Sequence, residues 1–211
     1  MPGDVAAPVK LFLASSNPGK LREYRELAGD ASLDLELLPN FASIPVFEET
    51  APTFAENSAG KALYYSGFCD NDGIVLADDS GLVVPALGGA PGVYSARYAG
   101  PNATDADRVR KLLHEMKGKA GPDRRARFVC VTSIARQGRP LAVVSDSAEG
   151  SITTEPQGTG GFGYDPVFYF ESLKRTYAEI SPAEKNVYSH RGKALRKILY
   201  VLSPSFAATF G

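Results

Sequence analysis

Cysteine is scarce: Cys69 and Cys130 are the only two in 211 residues. Two cannot build a disulfide framework, and no C-x-x-C pair or Cys/His cluster offers a zinc pattern. Both lie among apolar neighbours and are expected as buried, reduced thiols. Charge of one sign is lacking as well, because 23 Lys+Arg stand against 24 Asp+Glu for a formal net charge of −1. A protein that lives on the nucleic-acid backbone carries a basic excess, so no stable nucleic-acid partner is expected. No apolar run approaches the ~18 residues of a membrane span. The opening MPGDVAAPVK has no basic stretch followed by an apolar one, so it does not read as a signal peptide. A soluble cytoplasmic protein is the expectation. No internal repeat or low-complexity tract is present.

The composition, 44% hydrophobic and 22% charged, is that of an ordinary globular protein. The length suits one α/β domain spanning 1–211, with residues 1–8 as a loose tail. Val9 to Ala14 reads as a strand, and Leu21, Tyr24 and Leu27 mark one face of the helix after it. Leu33 to Leu38 alternates as a second strand. Thr53 with Glu56 fits a capping box, which places a helix from about Thr53 to Ser66. Ile74 to Ala77 is a buried strand. Thr104 with Asp107 opens a surface helix whose apolar face is Val109, Leu112, Leu113 and Met116, and His114 on it is a surface residue. Arg127 to Arg136 and Pro140 to Ser145 flank the Gln137-Gly138 turn as a hairpin, so the sheet is mixed. A last segment, Ser181 to Leu202, starts as a helix at Ser181, Pro182 and Glu184.

Five stretches carry chemistry. Ser15-Ser16-Asn17-Pro18-Gly19-Lys20 joins a strand to a helix. A helix N-terminus with free N–H groups, plus the Lys20 charge, suits a phosphate, although an ordinary turn would use the same residues. Asp78 and Asp79 follow the buried strand, so they are expected at its end, at the edge of the sheet; an Asx-type turn is the plainer explanation. Glu48 and Glu49 lie in a loop with no capping duty to explain them. In the run from Gly158 to Pro166, Gly158, Gly160 and Gly163 spell G-x-G-x-x-G, but a strand rather than a helix follows, which excludes a dinucleotide fingerprint. Phe162 on that loop either stacks on a planar ring or tucks inward. Lys185, His190, Arg191, Lys193, Arg196 and Lys197 form a cluster without an acid, which suggests an anionic partner, and they lie mostly away from the apolar face of Leu195, Ile198, Leu199 and Leu202. Hard carboxylate oxygens without His or Cys companions suit Mg²⁺. Together these features describe a nucleoside polyphosphate site, without a Ser/His/Asp or Cys/His nucleophile.

Taken in order, SSNPGK, ADDSGL at 77–82, GGAPGVYSARY at 88–98, GTGGFGYDP at 158–166, and Glu184-Lys185-Asn186 with Ser189-His190-Arg191-Gly192 resemble the inosine triphosphate pyrophosphatase (Ham1-like) family. The likeness runs from about Lys10 to Leu202. It implies a long twisted mixed central sheet flanked by helices, with a substrate cleft between two lobes, and a homodimer. It implies Mg²⁺-dependent hydrolysis of ITP, dITP and XTP to the monophosphate and pyrophosphate, cleansing the nucleotide pool. By the same resemblance Ser15, Ser16, Asn17, Pro18, Gly19 and Lys20 hold phosphates, and Asp79 is the general base. Asp79 also binds the metal together with Glu49, which is favoured over Glu48. Ser80, Phe162, Gly163, Tyr164, Asp165, Lys185, His190 and Arg191 complete the nucleotide site. A non-catalytic nucleotide-binding module and a hydrolase of modified pyrimidine triphosphates are the two other readings.

Overall fold

The computed structural model describes residues 9–29, 33–69 and 73–203; the expected tail at 1–8 lies outside them. Seven strands form one mixed sheet in the order β2-β1-β3-β4-β5-β6-β7. They are β1 (Val9–Leu13), β2 (Leu33–Leu37), β3 (Ile74–Val83), β4 (Arg125–Arg136), β5 (Arg139–Ile152), β6 (Phe168–Phe170) and β7 (Arg175–Thr176). β1 runs parallel to β2 and β3, and all later pairings are antiparallel. The helices are α1 (Pro18–Gly29), α2 (Phe54–Ser66), α3 (Asp105–Glu115), α4 (Pro182–Tyr188) and α5 (His190–Val201).

Side-chain alternation sorts the sheet into two faces. Leu11, Leu13, Ile74 and Leu76 pack with Tyr24 and Leu27 of α1 and Leu195 and Ile198 of α5. Phe12, Ala14, Val75 and Ala77 face the opposite way, onto Ala62 and Tyr65 of α2. A third core, with Leu82, Phe128, Phe168 and Tyr177, lies under α3, which contributes Val109 and Leu112, with Met116 just past its end. The caps that organise α2 and α3 are in place: Thr53 accepts the Glu56 N–H, and Thr104 and Asp107 form a full capping box.

Four expectations are corrected. The strand carrying Asp78 and Asp79 does not end at them: β3 continues to Val83, because β4 offers a partner to every residue from Val75 to Val83. What ends there is β1, whose pairing with β3 stops at Leu13↔Leu76. The acids therefore sit inside a strand at the point where one of its neighbours gives out, leaving that side open. Second, the terminal segment is two helices. Ser189 is extended and caps both, and its hydroxyl accepts the Gly192 N–H at 3.1 Å. Third, the basic residues expected to act as one cluster toward an anionic partner divide: Lys185, His190 and Arg191 are buried. Their neighbours Lys193 and Lys197 reach β5 carbonyls instead, and Arg196 reaches carbonyls of α4. The run of basic residues is thus no single anion-binding face. Finally, both thiols are free but only Cys130 is buried; Cys69 is half-buried.

Candidate active site

The open side of β3 is the floor of a cleft with a cavity volume of about 520 Å³. All of Ser15 to Lys20, Glu49, Asp79, Ser80, Phe162 to Asp165, Lys185, His190 and Arg191 line it. Glu48 is exposed and does not.

The turn before α1 is already capped from within. Asn17 Oδ1 accepts the N–H groups of Gly19 at 2.9 Å and Lys20 at 3.1 Å, and Ser15 Oγ accepts that of Asn17 at 3.3 Å. The expectation of free N–H groups at this helix start is therefore corrected: Asn17 takes two of them and Pro18 has none. Lys20 leans over β3, its Nζ 3.0 Å from Asp78 Oδ2 and 3.3 Å from the Asp78 carbonyl.

Asp78 and Asp79, adjacent on a strand, point to opposite faces and meet different company. Asp78 lies on the α1/α5 face, 1% exposed, between Lys20 and Arg191 Nη2 at 3.3 Å. Burial would raise its pKa, but Lys20, Arg191 and Lys61 outweigh that and hold the carboxyl well below the usual range. Ser80, two residues on and on the same face, accepts from Arg191 Nη2 at 2.8 Å. Asp79 faces α2. Its Oδ2 accepts from Asn57 Nδ2 at 3.0 Å and its Oδ1 from the Ser80 N–H at 2.8 Å. Burial pushes its pKa up to about 6; Lys20 opposes this, and the Glu49 charge adds to it. Lys61, one turn after Asn57, pairs with Glu49.

These two carboxylates repel each other in the protein alone, which a divalent cation between them would reverse. Among the described residues no group of three or more His, Cys, Asp or Glu gathers for a metal. A pair of hard oxygen donors that leaves the other positions to water and phosphate fits Mg²⁺ better than a metal needing a full protein cage.

The other wall is a buried charge relay. Lys185 lies 2.6 Å from Glu23 Oε1 and also pairs with Asp165; Arg191 pairs with Glu23. Burial pushes the Glu23 carboxyl up, but Arg191 and Lys185 together hold it down at about 2. Burial, with the Arg191 charge beside it, keeps His190 well below the ordinary histidine pKa and hence neutral at pH 7. Its ring stacks on Phe128 at 4.7 Å between centroids. Half-buried Phe162 completes this wall, with Lys185 Nζ 5.0 Å and the Arg191 guanidinium 5.8 Å from its ring centre. Gly19 makes this possible: a Cβ there would come within 2.6 Å of the Phe162 ring. In the same segment the Tyr164 ring is buried and its hydroxyl donates to the Ser95 carbonyl at 2.9 Å, so that side chain is already engaged.

Sequence reasoning missed Asn57, Lys61 and Glu23. Each had a signal. Glu23 interrupts the Gly19–Glu23–Leu27 stripe on the buried face of α1, where an acid demands a partner. Asn57 and Lys61 stand four apart on α2, on a face that also carries Ala62 and Tyr65 to the core.

A model described as the Ham1 family matches residues 11–201. The chain is 47% identical over 189 residues to a dITP/XTP pyrophosphatase of Geobacillus kaustophilus, covering 90% of this chain and 92% of that one. It is 44% identical over 202 residues to a dITP/XTP pyrophosphatase of Coxiella burnetii, covering 94% and 98%. A solved HAM1 protein from Coxiella burnetii matches with a TM-score of 0.80 at 44% identity, over 92% of this chain and 98% of that one. A nucleoside-triphosphatase / dITP/XTP pyrophosphatase from Mycobacterium abscessus matches with a TM-score of 0.69 at 36% identity, over 92% and 100%.

Proposed function

Since this chain belongs to the Ham1 family, we propose that it is a Mg²⁺-dependent nucleoside-triphosphate pyrophosphatase that hydrolyses ITP, dITP and XTP to the monophosphate and pyrophosphate. The observation that carries the reading is the placement of Asp79: a buried carboxylate fixed by two hydrogen bonds in the cleft that Glu49, Lys20, Lys185 and Arg191 also line. A carboxylate held in a fixed orientation within reach of the attacking water is what proton abstraction requires.

In this reading Asp79 takes the proton as water attacks the α-phosphorus, and the β,γ-pyrophosphate leaves. Asn57 and the Ser80 N–H fix the orientation of that carboxylate. The Ser15–Lys20 turn holds the phosphates, with Lys20 offsetting their charge as it builds on the leaving group. Asp79 and Glu49 would hold Mg²⁺, which when bound neutralises non-bridging oxygens. Phe162 lies against the base, and Lys185, His190 and Arg191 are the basic groups next to it. Hypoxanthine and xanthine carry a 6-oxo acceptor that suits donors there; the 6-amino group of adenine would set donor against donor. We assign the chain as one domain acting as a cytoplasmic homodimer, with no nucleic-acid partner.

A panel of ITP, dITP, XTP, GTP, ATP and modified pyrimidine triphosphates with Mg²⁺ tests the specificity. The three non-canonical purines should exceed ATP and GTP in kcat/KM by roughly 10²-fold or more. A preference for the pyrimidines, or a flat profile, would contradict it.

A further inference from the structure

The segment that carries Phe162 turns on two glycines. Gly161 and Gly163 flank it with φ of +71° and +62°, in the left-handed region that glycine enters freely. It is held from within, where Asp165 Oδ2 accepts the Phe162 N–H at 2.8 Å, and from outside. One brace is the Tyr164 hydroxyl on the Ser95 carbonyl, at 2.9 Å. Another is the Gly160 N–H on the Ala178 carbonyl at 3.0 Å, and a third is Asp105, the first residue of α3, whose Oδ2 accepts the Gly163 N–H at 2.7 Å across 58 positions of sequence. Its second oxygen takes Arg108, and Arg108 Nη1 donates in turn to the carbonyls of Ala96 at 2.9 Å and Ala103 at 2.7 Å.

Capping does not explain the Asp105 carboxylate. Thr104 and Asp107 already complete the capping box of α3, with Asp107 Oδ2 accepting the Thr104 N–H at 2.9 Å. Asp105 is thus free to face sideways into the cleft, which both it and Arg108 line. Neither belongs to the motifs that carried the family resemblance.

We infer that Asp105 is a positioning residue for base recognition: by tying down the Gly163 N–H it fixes the Phe162 ring against the bound purine. The inference rests on the nucleotide reading above. Asp105 shares the hold on this segment with Asp165, Tyr164 and the Gly160 N–H on the Ala178 carbonyl; without its charge-assisted bond, that part of the ordering must be supplied by the substrate. The cost falls on binding and on discrimination between bases, since Asp105 does not approach Asp79 through any hydrogen bond or ion pair of the structure.

The test compares Asp105→Ala, Asp105→Asn and Thr104→Ala, using amide hydrogen exchange across residues 158–165 in the ligand-free protein and steady-state kinetics with ITP and GTP. Asp105→Ala should speed exchange in that segment about tenfold and raise KM for ITP about tenfold, the range of one lost charge-assisted bond. It should also narrow the ITP-to-GTP ratio, while kcat stays within about threefold. Asp105→Asn keeps an oxygen for the Gly163 N–H and should restore most of both. Thr104→Ala weakens the start of the same helix without touching Gly163, so it should lower the thermal midpoint and leave exchange and KM alone. Wild-type exchange in Asp105→Ala would overturn the anchor. Faster exchange with unchanged KM and ITP-to-GTP ratio would overturn its part in recognition. Failure of the wild-type enzyme to cleave ITP would instead strike the functional reading, while the exchange arm still decides whether Asp105 anchors the loop.

Discussion

Replacing Asp79 by asparagine is expected to cut pyrophosphate release by roughly 10³-fold or more, in a protein that remains folded. The amide removes a general base and one of the two carboxylates proposed to hold the metal. It keeps the size of the side chain and an oxygen for one of the two donors, Asn57 Nδ2 and the Ser80 N–H. Folding should tolerate the exchange because burial already works against the charged carboxylate, as its pKa of about 6 records. Urea or thermal unfolding should therefore give a stability close to wild type. Near-normal turnover in Asp79→Asn would remove Asp79 from the role of base.

Asp78→Asn should fail in the opposite way, with a large loss of stability and a smaller loss of turnover per folded molecule. Asp78 is 1% exposed and sits between Lys20 and Arg191. Neutralising it leaves Arg191 undercompensated in a fully buried site and Lys20 undercompensated at the cleft wall, a change that costs about 3–5 kcal/mol. For a chain of this size that is on the order of 10 °C in thermal midpoint. The same logic gives a pH dependence. Asp78 and Glu23 have folded-state pKa values below their unfolded ones, Glu23 falling from 4.5 to about 2. As pH drops through that window the unfolded chain binds the protons first, so acid favours unfolding and the stability present at neutral pH drains away. Melting from pH 7 to pH 3 should show that fall in the wild type and a shallower one in Asp78→Asn. A variant as stable as wild type at pH 7 would mean the buried charges are not coupled as the distances indicate.

Local signals in the sequence were enough to locate the helix starts, because Thr53, Thr104 and Ser181 write their caps within four residues. They also located several stretches that line the cleft, since polar and glycine-rich runs interrupt otherwise periodic apolar patterns, but not Lys61, Asp105 or Arg108, which lie within helices. The course of β3 past Asp79 was not legible, because it depends on β4, which pairs with it from some fifty positions away. The burial of Lys185 and Arg191 was hidden for the same reason: their counterions, Glu23, Asp78 and Asp165, come from three other elements. The division between Asp78 and Asp79 was implied by the family resemblance, and its physical reason needed the two faces of the sheet. Sequence shows two acids side by side; the alternation of a strand sends one into an ion-pair network and the other to the proposed reaction centre.

The central claim is cleavage between the α- and β-phosphates by water, and product identity tests it most directly. With ITP and Mg²⁺, the enzyme should release inosine monophosphate and pyrophosphate in equal amounts, resolved by anion-exchange chromatography before any phosphatase is added. Inosine diphosphate with orthophosphate as the first products would contradict the account.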